Sequence, residues 1–117
     1  MHDAKPNTDF IAHTKAIEAA GIAIKLVSGL PIRLRSLTDQ VVRSASSVPA
    51  NLAEGLGRSG KDRAYHWRIA YGSAREVDSH LQLLVDANAI DTQLASSARE
   101  LFDEVRAIIW RLLHPAP

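Results

Sequence analysis

Four stretches of the chain place apolar or small residues at every third or fourth position, and no stretch alternates at period two. A period near 3.6 builds amphipathic helices and excludes a sheet. The first stripe runs Phe10, Thr14, Ile17, Gly21, Ile24, Ser28 within residues 8–28. Thr8 can cap its start, and "SGLP" from Ser28 to Pro31 ends it. The second, within 37–57, runs Leu37, Val41, Ala45, Val48, Leu52, Leu56 behind a cap at Ser36 or Thr38. The third, within 61–87, follows a start near Ser59 to Lys61 and carries Ala64, Trp67, Ala70 or Tyr71, Ala74, Val77, Leu81 and Leu84. The fourth, within 92–113, carries Leu94, Ala98, Leu101, Val105, Ile108 and Leu112 behind Asp91 as cap. Short connections make sequential helices antiparallel. The expected fold is therefore all-α: one domain, residues 1–117, built as an antiparallel up-down-up-down four-helix bundle.

Several helices are apolar on more than one face. Ile11, Ile22 and Leu26 flank the first stripe, and Phe102, Ile109, Trp110 and Leu113 flank the last. A bundle buries one face of each helix, so the surplus predicts subunit contacts and a homo-oligomer. Pro49 falls inside the second pattern and predicts a kink or break near Ser46 to Val48, where Ser46 and Ser47 can serve freed backbone groups.

The chain has no cysteine, which removes disulfides, thiolate metal sites and a thiol nucleophile. Its first ten residues are polar, without the apolar core of a secretory signal. No apolar run reaches the roughly 18 residues that span a bilayer. These features suit a cytoplasmic protein with no membrane partner.

The heptapeptide "EGLGRSG" spells G-x-G-x-x-G with Gly55, Gly57 and Gly60. A dinucleotide fingerprint needs a strand before it and a βαβ unit around it. Here helix precedes it, so no cofactor is expected. The glycines read instead as the turn between two helices, with Gly57 or Gly60 at positive φ and Gly55 allowing a close approach. Gly72 and Ser73 offer a matching small surface on the third helix.

Charge is unevenly spread. From Lys25 to Arg75 nine basic residues face three acids, whereas seven acids face three arginines from Glu76 to Pro117, within a net charge of +1. Opposite charges meeting across helices or subunits account for this split. A basic surface for phosphates is the alternative, with Arg33, Arg35, Arg43, Lys61, Arg63 and Arg68 as its candidate RNA or DNA contacts. Tyr65, Trp67 and Tyr71 interleave with some of these, as in sites that stack bases. Asn51, Glu54, Gly55, Arg58, Gly72, Ser73 and Glu76 form a second group at helical spacing. Glu54 and Arg58 suit an i, i+4 ion pair, and helices packed through Gly55 and Gly72 would bring Glu76 to Arg58 or Arg43. This group reads as a hydrogen-bonded network setting helix register or a subunit interface. No nucleophile accompanies its carboxylates, so no catalytic residue is expected. Glu76 and His80 share a face without further ligands, so neither is a metal site.

The segments "SVPANLAEGLGRS" and "YHWRIAYGSAREVDSHL" resemble the bacterial four-helix bundle proteins met as reading frames within 23S rRNA intervening sequences. The matching positions are Ser47, Val48, Pro49, Asn51, Leu52, Ala53, Glu54, Gly55, Arg58, Gly72, Ser73 and Glu76. His66 stands where that pattern favours a larger apolar residue. The resemblance implies a small cytosolic protein with no known enzymatic role that assembles in rings of five. A related accessory protein of diversity-generating retroelements is far more basic than this chain and engages nucleic acid and a reverse transcriptase. The reading that follows is a non-catalytic homo-oligomeric scaffold, with a nucleic-acid-binding accessory factor as the alternative.

Overall fold

The computed structural model describes the backbone of residues 8–117 and the side chains from Ile11 onward. The cap expected at Thr8, the stripe position Phe10 and the polar N-terminus lie outside those descriptions. Four α-helices follow one another: α1 Thr8–Val27, α2 Arg35–Leu56, α3 Gly60–Asp86 and α4 Thr92–Leu113. A single 3-10 turn, Ile32–Leu34, leads into α2. Each helix packs on its two neighbours in the cyclic order α1, α2, α3, α4, with α2 against α3 the most extensive contact. The molecule measures 50 × 26 × 25 Å. The described residues contain no strand.

α2 and α3 bury most of their predicted stripes, whereas the buried seam of α4 is shifted from its stripe and leaves Leu94 55% exposed. α2 buries Val41, Ala45, Val48 and Leu52; α3 buries Trp67, Ala70, Ala74, Val77, Leu81 and Leu84. α4 buries Ala95, Ala98, Phe102, Val105, Ile108 and Ile109, so Phe102 and Ile109 belong to the core rather than to a second face.

α1 departs from its expected stripe. It buries Ala12, Ala16, Ala19, Ala20, Ala23 and Val27. Thr14, Gly21 and Ser28 are exposed, Ile24 is half-buried and Ile17 is 53% exposed. At 100° per residue the buried seam is rotated by roughly 130° from the predicted one. The physical reason is size. Methyl side chains let α1 lie close against its neighbours, whereas an isoleucine row would hold it away. Ile17 is thereby turned outward, while Ile11, Ile22 and Leu26 pack partly buried against the core.

The connections explain the helix ends. Asp91 Oδ1 accepts from Leu94 N at 2.8 Å, the expected N-cap of α4. Ser36 and Thr38 do not cap α2, because the helix begins at Arg35 behind the 3-10 turn. At the C-terminus of α3, Asn88 takes φ 56°, and Ala89 N and Asn88 N reach back to Leu84 O and Val85 O. That is the paired closure of a Schellman motif with asparagine as the left-handed residue. Gly60 takes φ 58°, whereas Gly57 stays at −81°. Pro49 does not break α2, which runs unbroken through it. Ser46 Oγ donates to Val42 O, a carbonyl one turn before the one that Pro49 leaves without its donor.

Candidate functional site

The polar motif residues line the seam between α2 and α3. Ser73, buried on α3, donates through Oγ to Ser47 Oγ on α2 at 2.9 Å. Asn51 Nδ2 donates to Ser47 O and Ser47 Oγ, at 3.0 and 3.1 Å. This fixes the amide's orientation, so its Oδ1 faces His66 at 3.0 Å and His66 Nδ1 is the donor. His66, the departure from the family pattern, is thus a working member of the seam. Arg43 and Glu76 form an ion pair across the same two helices. His80 Nε2 also donates to Glu76, at 3.4 Å. Glu54 pairs with Arg58 at 2.9 Å on the exposed side of α2. The network therefore joins Asn51, Ser73 and Glu76 to α2–α3 register. Glu54 and Arg58 stand apart from it.

Gly55 and Gly72 do not meet. A Cβ on Gly55 would lie 2.5 Å from Trp67 Nε1, so the glycine makes room for an indole. A Cβ on Gly72 would touch nothing within 4 Å. Arg63 stacks over Trp67 at 5.4 Å and donates to Gly55 O and Leu56 O at 3.0 and 3.2 Å. It closes the C-terminus of α2, where cations complement the helix dipole. The glycine fingerprint is accordingly a helix end bound by an arginine and an indole.

The six cations expected on one face are divided. Arg33 and Arg35 sit at the start of α2, whereas Lys61, Arg63 and Arg68 sit near the start of α3. These are opposite ends of the bundle, roughly 30 Å apart at 1.5 Å rise per residue. Arg43 is committed to Glu76, and Arg63 to the end of α2.

A different group gathers between α3 and α4. An open groove of about 740 Å³ is lined by Tyr71, Arg75, Asp103, Arg106, Trp110 and Arg111. It runs into a second hollow of about 410 Å³ that adds Arg68, Gly72 and His114. Arg106 pairs with Asp103. Trp110 is 51% exposed and stacks on His114 at 4.2 Å with planes 21° apart. Arg68, Tyr71, Gly72 and Arg75 are spaced i, i+3, i+4, i+7 on α3, a signal the sequence reading passed over, and only the fold sets them against α4. Farther along, Arg99 Nε donates to Asp78 at 2.8 Å. That hydrogen bond and the carboxylate charge raise the Arg99 pKa against the opposing effect of partial burial.

No cluster of three or more metal-ligating residues exists among the described residues. No described helix is long and apolar enough to cross a membrane.

The family model for 23S rRNA-intervening sequence proteins matches residues 8–111. A solved structure from Bacteroides thetaiotaomicron, described as a protein of unknown function from the S23 ribosomal protein family, superposes with a TM-score of 0.82. It covers 92% of this chain and 98% of its own, at 22% identity. No curated protein matches the sequence.

Proposed function

The chain belongs to the 23S rRNA-intervening sequence protein family, and from that premise we propose that it is a non-catalytic interaction protein working as a homo-oligomer. One observation carries the reading: α1 spends an alanine seam inside the bundle and packs Ile11, Ile22 and Leu26 at its edge, yet leaves Ile17 exposed on the outer side. Outside, Ile17 stands 53% exposed beside Thr14 and Gly21, and a Cβ on Gly21 would meet nothing within 4 Å. An isoleucine beside a glycine with open space around it suits close approach of another helix. Glu18 and Lys25 border it with one charge of each sign, so two copies of the surface carry no net repulsion. A ring of five is the count that the resemblance implies. The division of Arg33 and Arg35 from Lys61, Arg63 and Arg68 supports this reading over a single basic face on one subunit.

Light scattering on the purified chain tests it. A mass that is a multiple of 12.8 kDa is expected. It should persist at high salt, since burial of apolar surface is not screened as charge contacts are. A mass of one chain at every concentration would refute the proposal.

A further inference from the structure

We infer that the α3–α4 groove binds a nucleotide unit, with its base on the aromatic wall and its phosphate on the arginines. The inference stands on a different surface from α1 and does not depend on the oligomer.

Charge comes first. Four arginines line the two joined hollows, Arg68, Arg75, Arg106 and Arg111, against one acid, Asp103, leaving +3. Only Arg106 is neutralised, by Asp103. Arg68, Arg75 and Arg111 have no ion-pair partner among the described residues. Three unpaired guanidinium groups spread over two adjoining hollows, with Arg75 lining both, concentrate positive potential there in a chain of net charge +1. Planar guanidinium groups also match phosphate oxygens in bidentate fashion. Arg68 and Arg75 are seven residues apart on α3, which separates them by about 10 Å along the groove.

The aromatic wall adds the second half. Trp110 exposes half its surface and extends a ring stack with His114. Tyr71 lies half-buried on the facing helix. A flat base stacked on such a wall gains about 1–3 kcal/mol. An acidic peptide would use the arginines but leave the exposed indole without a matching group. Gly72 supplies the third observation. It does not bring helices together, and no atom stands where its side chain would be. Its hydrogen keeps the hollow between Arg68, Arg75 and Trp110 open.

The same chemistry is presented by a free nucleotide and by one residue of a single strand. The experiment titrates the protein with adenosine monophosphate, an eight-residue oligoadenylate and inorganic phosphate. It follows tryptophan fluorescence, in which Trp110 is the exposed one of two indoles. Saturable quenching by the monophosphate, the oligonucleotide or both is expected, and the pattern tells which source is used. Arg68→Ala/Arg75→Ala should weaken binding at least tenfold. Gly72→Leu should abolish it by filling the hollow, with helicity unchanged. No saturable change with either nucleotide ligand, or equal affinity for inorganic phosphate, would overturn the inference. So would full binding by Gly72→Leu.

Discussion

Helices α1 and α3 lie across the bundle from one another and solve the same packing problem in opposite ways. α3 buries large side chains, Trp67, Leu81 and Leu84, and ties itself to its neighbours with polar contacts. Ser73 and His66 bond to α2, and Asp78 holds Arg99 of α4. α1 buries five alanines and one valine and has a lone interhelical ion pair among its described residues, Lys15 with Glu104 at 3.2 Å. Hydrogen bonds specify register, whereas an alanine seam specifies only distance. α3 finishes its register within its own subunit, although Tyr65 and Leu83 stand exposed on it. α1 leaves Ile17 outside, turned away from its alanine seam, which is why that surface is the one we assign to self-association.

Four substitutions probe the finished half, in falling order of effect. Leu81→Ala removes a fully buried side chain of α3 and should cost about 2–5 kcal/mol in urea unfolding. A cost below about 1 kcal/mol would mean that α3 is packed no more tightly than α1. Gly55→Ala forces a methyl against Trp67 and should cost about 1–3 kcal/mol by overpacking. Alanine is the better helix former by about 1 kcal/mol, so a more stable variant would show that the indole moves freely. Asn51→Ala strips the bonds to Ser47 and His66 and should cost about 1–2 kcal/mol. Neutral behaviour in thermal unfolding would deny the seam its role in register. Glu76→Gln loosens exposed contacts to Arg43 and His80 and should cost less than about 1 kcal/mol, shrinking further with salt.

Much of this was legible in the sequence, and the failures have separate physical causes. The four helices and the Asp91 cap follow from spacing and residue type, whereas spacing left Glu76 between Arg58 and Arg43, and the fold selects Arg43 without the expected glycine contact. The glycine fingerprint was rightly read as a helix end, although its partner is Trp67 rather than Gly72. α1 was misread because alanine counts for little in a search for apolar stripes. Isoleucines at 17 and 24 outweighed alanines at 12, 16, 19 and 23, while close packing favours the smaller set. The α3–α4 groove was illegible for another reason. Arg68 and Trp110 are 42 positions apart, and spacing alone makes one a candidate phosphate contact and the other a subunit contact without joining them. Likewise, Arg63 looked like a free cation until the turn carried it back over the end of α2.

The proposed self-association rests on Ile17, the exposed isoleucine of α1, as a contact between copies. Ile17→Glu tests it most directly, because Ile17 is half exposed and lies outside the core cluster. Light scattering and circular dichroism on both proteins give the answer. The account predicts a wild-type mass above 12.8 kDa and a variant at one chain's mass with helicity retained. A variant that keeps the wild-type mass would contradict it, as would a wild type that is already a single chain.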